Sequence, residues 1–207
     1  VEHTIAKYMF DPVENPWEVL PSISIFIEQL GPMLPSEEFE QRGSNVWISK
    51  SAVIAPTAYI GGPCIIDAGT EVRHCAFIRG SAIIGKNCVI GNSTELKNVI
   101  IFDNVQVPHY NYVGDSILGF KSHMGAGSIT SNVKSDKTLV HVKGIDPETN
   151  EKFDLETGLK KFGAMLGNHV EVGCNSVLNP GTVIGSNSNV YPLSPVRGFV
   201  PAESIYK

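Results

Sequence analysis

From residue 48 to residue 96 an aliphatic side chain returns at every sixth position: Ile48, Ile54, Ile60, Ile66, Val72, Ile78, Ile84, Ile90 and Leu96. A period of six matches neither the 3.6-residue stripe of an amphipathic helix nor the simple alternation of a single strand, but it suits a solenoid in which each short strand adds one rung. Four residues after most anchors stands a small residue, as in Ala52, Ala58, Cys64, Thr70, Ala76, Ala82, Cys88 and Thr94. One rung cannot bury its anchor alone. Stacked rungs bury a continuous column, and the small residue leaves room where the chain turns.

An aliphatic residue, often followed by Gly as in Ile60-Gly61, Ile84-Gly85 and Ile90-Gly91, with a small residue in the fifth place, resembles the hexapeptide signature of left-handed parallel β-helix proteins. The resemblance implies a mainly β fold with three hexapeptides per triangular coil, and it supplies the hand, since parallel crossovers in ordinary sheets are right-handed. The register returns with Leu166, Val172, Leu178, Ile184, Val190 and Val196. The expected length is six or seven coils, ending near the prolines of 191–201.

A chain of 207 residues predicts one domain, or one plus a small appendage. No apolar run is long enough to span a membrane and no basic-then-apolar leader opens the sequence, so a soluble cytoplasmic protein is expected. A net charge of −5 argues against broad nucleic-acid or anionic-membrane binding. The four cysteines form no CxxC pair, and Cys64 and Cys88 fall in small-residue slots, so reduced, structural thiols and no metal site are expected.

Residues 1–45 stand outside the repeat. Asn15-Pro16-Trp17-Glu18 reads as a helix start, Pro21 interrupts or restarts it, and Ile23, Phe26, Ile27 and Leu30 share one face before Gly31-Pro32. This segment is expected to form a helical cap over the open end of a β-helix domain spanning 46–207. A partner-binding arm is the alternative. After Leu96 the phase slips: Phe102 keeps it, Val107 and Val113 adopt another, and Leu118 and Met124 a third. Such a lapse in a consistent pattern points to function. Residues 134–163 leave the repeat and predict a hairpin, with a strand over Thr138–Lys143, a turn at Asp146–Asn150 and a returning strand over Lys152–Leu155.

The densest polar series runs through Arg79, Glu95-Leu96-Lys97, His109-Tyr110-Asn111-Tyr112-Val113-Gly114-Asp115 and Met124-Gly125-Ala126-Gly127-Ser128-Ile129-Thr130-Ser131-Asn132. In this order, over about residues 46–200, the segments resemble the acetyltransferase half of the bifunctional uridyltransferase and glucosamine-1-phosphate acetyltransferase family that makes UDP-N-acetylglucosamine. Lys143-Gly144, Lys160-Lys161-Phe162-Gly163 and the second ladder resemble its archaeal sugar-nucleotide branch.

The resemblance implies an acetyl-CoA-dependent N-acetyltransferase with an amino-sugar phosphate as acceptor, glucosamine 1-phosphate first, and a homotrimer with sites between neighbouring prisms. It assigns His109 as the base that takes the amine proton, a role suited to a side chain titrating near neutrality. Taken alone, His109 reads more readily as a hydrogen-bonded corner histidine, and the motif reverses that preference. Arg79 and Lys97 would grip the sugar phosphate. Tyr112 and Glu95 would hold the sugar, and Asn132 would orient the acceptor amine. Ala126 would offer its backbone N–H to the thioester carbonyl. His123 stands where the bacterial family has a sugar-binding Asn, Val133 replaces an aromatic, and Lys137 aligns with a substrate lysine. For the coenzyme, Cys174 occupies the place of a hydroxyl and Arg197 lies near that of a cation meeting its phosphates.

No Gly-rich phosphate loop opens a βα unit within residues 1–45, so uridylyl transfer is expected to come from elsewhere. Two other classes fit the coil. One is a non-catalytic module that binds a sugar nucleotide and trimerises a nucleotidyltransferase partner. The other resembles the γ-class carbonic anhydrases, which need three histidines around zinc: His74 and His109 are plausibly spaced, but His123 is too far on.

Overall fold

The computed structural model describes residues 1–207. From Val46 onward the chain winds into three rows of parallel strands, the faces of a prism. The first face runs from Val46–Ser49 through Cys64–Ile66 and Ala82–Ile84 to Phe199–Val200. The second runs from Val53–Ile54 to Ile205–Tyr206 and the third from Tyr59–Ile60 to Pro195–Val196. Rungs pair so that anchors stack: Ile48 on Ile66 on Ile84, and Ile54 on Val72 on Ile90. The second face carries 8 strands, and the coil continues past the prolines to Tyr206, which corrects the expected six or seven coils. At about 4.8 Å per rung the prism is about 35 Å long.

The phase slip is a shortened corner. Regular passage from third face to first spends Arg79, Gly80 and Ser81 between Ile78 and Ala82, whereas Glu95–Ile101 and Tyr112–Leu118 each run unbroken round the bend. The anchor after Leu96 is therefore Ile101, stacked on Ile84, and not Phe102. The tighter bend uses left-handed backbone at Asn98 (φ 54°) and Asp115 (φ 48°), residue types that tolerate it.

The helical part of the N-terminal segment does not close the end of the prism but lies along its first face. Asn15 donates its backbone and amide N–H groups to Glu18, opening a 3-10 turn over Pro16–Ser22 that becomes helix α1, Ile23–Leu30, after Pro21. Helix α1 lies against Cys64–Ile66, Ala82–Ile84 and Glu95–Ile101, and the 3-10 turn lies against Tyr112–Leu118. The cause is the double-sided first face: Ile66, Ile84 and Ile101 fill the interior, while their neighbours Ile65, Ile83 and Ile100 point outward and need cover. Ile23 and Ile27 supply it, fully buried. The exposed edge of this face is covered by Phe39–Gln41, antiparallel to Val46–Ser49.

The predicted hairpin is present, His141–Ile145 pairing antiparallel with Lys152–Glu156. It folds back on the last coil, where Phe153 meets Phe199 with ring centroids 5.7 Å apart. Phe162, fully buried at the end of the excursion, meets Trp17 from the N-terminal segment. Cys64 and Cys88 fill interior slots, and burial pushes both thiols up to about 12. No helix is long and apolar enough to cross a membrane.

Candidate active site

The edge between the second and third faces stacks one residue per rung: His74, Asn92, His109, Ala126 and Cys174. Their carbonyls accept, in turn, from Ser93, Tyr110, Gly127, Asn175 and Leu193 on the following rungs, a backbone ladder that fixes the spacing. The His109 ring projects from this ladder into solvent. Its backbone N–H donates to Asn111 Oδ1 at 3.0 Å, and Asn111, buried, donates through Nδ2 to the carbonyls of Gly125 and Ser128. Asn111 thus ties the His109 corner to the Ala126 corner one rung on. The sequence reading did not single it out, although an Asn in a slot that elsewhere holds Ala, Thr or Ser was a visible signal. The Ala126 N–H donates to no backbone carbonyl and lies one rung from His109.

The third face carries the polar cluster. Arg79 Nη1 meets Glu95 Oε1 at 2.9 Å, both half-exposed. Tyr112 lies beside Glu95 in register and folds over Gly114, where an added Cβ would sit 2.4 Å from the phenol oxygen. Burial, then the Asp115 and Glu95 carboxylates, push the Tyr112 phenol above its ordinary range, so it stays a protonated donor. On the shortened corner Asp115 collects four bonds: Lys97 Nζ on both carboxylate oxygens, Asn98 Nδ2 at 2.9 Å and Asn132 Nδ2. Asp115 lies within the motif, yet it was not among the expected site residues. The slip that was expected to point to function falls under this carboxylate, while the His109 corner keeps regular length.

Arg79, Glu95, Lys97, Tyr112 and Asn132 therefore converge on the third face and its far edge, with His109 and Ala126 on the near edge. His123 lies on the second face, 3.0 Å from Glu171, away from that cluster within one chain. Lys137 is exposed in a turn of the excursion. Cys174 is exposed on the same edge as His109 and Ala126, whereas Arg197 shares the opposite edge with Arg79 and Lys97, at the far end under the hairpin. His74 and His109 are separated by the Asn92 rung and His123 is on another face, so the histidines do not converge. The arrangement offers an exposed imidazole one rung from a peptide N–H that no backbone carbonyl accepts, next to a face bearing Tyr112 and the Arg79–Glu95 and Lys97–Asp115 ion pairs.

Among solved structures the fold is similar to a hexapeptide transferase family protein from Anaplasma phagocytophilum, at a TM-score of 0.51 and 18% identity, covering 70% of this chain and 73% of that one. Among curated proteins, "Bifunctional protein GlmU" of Methanococcus maripaludis strain C5 is 36% identical over 96% of this chain and 47% of its own length. A "Bifunctional sugar-1-phosphate nucleotidylyltransferase/acetyltransferase" of Sulfurisphaera tokodaii is 32% identical over 54% of this chain and 26% of its own. The chain spans about half the length of the curated GlmU-type relative it matches over nearly all of its own residues. A family model described as the GMPPB C-terminal domain matches residues 60–184, most of the coil and the whole polar series, and on that match the chain belongs to the GMPPB C-terminal domain family.

Proposed function

We propose that this chain transfers an acetyl group from acetyl-CoA to the amine of an amino-sugar phosphate, glucosamine 1-phosphate being the first candidate, in sugar-nucleotide biosynthesis. The observation that carries the reading is the adjacency of His109 and Ala126 on consecutive rungs, beside a face that presents Arg79, Glu95, Lys97 and Tyr112. The name of the Sulfurisphaera tokodaii relative, which pairs a nucleotidylyltransferase with an acetyltransferase, supports it.

In this reading the amine nitrogen attacks the thioester carbonyl as His109 takes its proton. The oxyanion is met by the Ala126 N–H, the C–S bond breaks, and the proton passes to the departing thiolate. Arg79 and Lys97 hold the phosphate, Tyr112 and Glu95 the sugar, and Asn132 the acceptor nitrogen. Cys174 lines the donor's path along the shared edge, and Arg197 supplies a cation for coenzyme phosphates. His123, on another face, and Lys137, exposed in the excursion, would act across a subunit boundary in a homotrimer.

The test is thiol release from acetyl-CoA with glucosamine 1-phosphate and other amino sugars. Turnover should fall about 100- to 10,000-fold in His109→Ala. Undiminished turnover in that variant removes His109 from its role, and absence of turnover with every amino sugar defeats the function.

The second reading, a non-catalytic sugar-nucleotide module, draws on one observation: Arg79 is already held by Glu95, and His109 makes no side-chain contact with that pair. Binding of a sugar nucleotide without thiol release would favour it.

A further inference from the structure

A cavity of about 640 Å³ opens under the hairpin, and neither His109, Ala126 nor Cys174 lines it. The hairpin strands form one wall and the corners at Asn179–Pro180 and Arg197–Gly198 form the other. In a chain of net charge −5, this wall carries four cations, Lys134, Lys143, Lys152 and Arg197, against the single carboxylate of Asp154. That carboxylate is already engaged by Lys143 at 2.8 Å and by His141 at 2.6 Å. Lys152 and Arg197, both exposed, have no acidic partner, whereas Lys134 is engaged by Thr138 Oγ1 at 2.6 Å, the Leu139 carbonyl at 3.4 Å and Asp136 at 3.6 Å.

Beside this charge the lining is apolar, with Ile145 and Phe153, the latter backed by Phe199. The walls are seated against each other. A Cβ on Gly144 would lie 2.6 Å from Phe199 Cβ, and one on Gly198, at φ +68°, would lie 2.4 Å from the Lys143 carbonyl oxygen. The cavity is thus preformed, and a ligand would not have to order the hairpin. A flat ring suits the Phe153 and Ile145 side, while the two cations without a partner, Lys152 and Arg197, suit a pair of phosphates. Arg197 also stands four rungs from Lys97 on their shared edge, about 19 Å, too far for one phosphate group to touch both.

We propose that this cavity is a binding site for a nucleoside diphosphate group, its ring on Phe153 and Ile145 and its phosphates on Lys152 and Arg197. Two sources share that chemistry, the nucleotide end of a coenzyme and a nucleotide-linked sugar. The site shares Arg197 with the acetyl-transfer reading and in that respect rests on it, but binding is measured without acceptor or turnover, so the two fail separately.

Calorimetry with ADP, UDP and inorganic pyrophosphate tests it on the intact chain. A nucleoside diphosphate should bind, more weakly as salt rises, and at least tenfold more weakly to Lys152→Ala/Arg197→Ala. Both substituted residues are exposed, and unchanged thermal unfolding of the double variant checks that the fold survives. His109→Ala should bind as the wild type does. Displacement of ADP by coenzyme A, or of UDP by a UDP-linked sugar, identifies the source and supports the site in either case. No binding, binding undiminished in the double variant, or pyrophosphate binding as tightly as the nucleotides would overturn the proposal.

Discussion

Lys97 and Asp115, on adjacent rungs of the shortened corner, are joined through both carboxylate oxygens at 3.0 and 3.2 Å, with the Asp115 side chain 4% exposed and that of Lys97 27%. Asn98 and Asn132 donate to the same carboxylate, so a single buried anion sets the positions of a cation and an amide that face the candidate acceptor site.

Removing that anion should be costly in two ways. Asp115→Asn leaves Lys97 without its counter-charge and places an amide among donors. The partial exposure of Lys97 limits the loss to about 2 kcal/mol, below the 3–5 kcal/mol of a fully buried pair. Urea unfolding measures it, and a change under about 0.5 kcal/mol would show that the carboxylate does not organise the corner. If the acetyl-transfer reading holds, KM for the phosphorylated acceptor should rise more than kcat falls.

The glycine after an anchor has a structural reason that the period alone did not reveal. At Gly91 a Cβ would lie 1.6 Å from the Pro108 carbonyl oxygen, backbone that cannot yield without shifting the rung that carries His109. Gly91→Ala should therefore destabilise the coil by about 1–3 kcal/mol. In an assayed enzyme it should also lower turnover beyond what the loss of folded protein explains. Equal Tm in the two proteins would contradict this packing.

Much of this architecture was legible because a solenoid writes itself into the sequence locally: each of Ile48 to Leu96 predicts its own rung, and the hairpin followed from alternation and the Asp146 turn. The N-terminal segment was misplaced for a specific reason. The six-residue period records only what points inward, while the outward Ile65, Ile83 and Ile100 were present beside Ile66, Ile84 and Ile101 without being read as a second buried surface. The ion network around Asp115 was illegible in another way. It depends on one residue fewer at the corner, which brings Asn98, Asp115 and Asn132 onto neighbouring rungs, a relation between distant positions that no local pattern encodes.

That second surface predicts a separable effect. Ile83→Ala removes a fully buried outward side chain under helix α1 without touching the anchor column. A loss of about 2–4 kcal/mol is expected. Hydrogen exchange and proteolysis should show loosening of residues 1–33 before that of the coil. Uniform loosening of coil and segment together would show that the segment is part of the same cooperative unit.

Thiol chemistry separates the interior of the prism from its edges. Cys64 and Cys88 are buried, with thiols pushed up to about 12, whereas Cys75 and Cys174 are exposed. At pH 8 a disulfide reagent should titrate two thiols in the native protein and four in denaturant. Four fast-reacting native thiols would mean that the coil opens readily.

The carboxyl of Asp67 yields a pH dependence of defined sign. Burial raises its affinity for a proton above the ordinary carboxylate range, only partly countered by the Ala68 N–H at 2.7 Å and by Lys86, while Asp103 and Glu38 add to the rise. A group that binds its proton more tightly in the native state stabilises the fold when protonated. That contribution is present in full below about pH 4, the range of an unfolded carboxyl, and is lost as pH rises through the folded value. Asp67→Asn keeps an oxygen for the Ala68 N–H and removes the charge. The variant should equal or exceed the wild type in stability at pH 7, with the advantage shrinking as pH falls toward 4 in urea unfolding at a series of pH values. A variant less stable at pH 7 and level with the wild type at pH 4 would reverse the sign and show that the native protein uses the ionised carboxylate, paired with Lys86, as a stabilising contact.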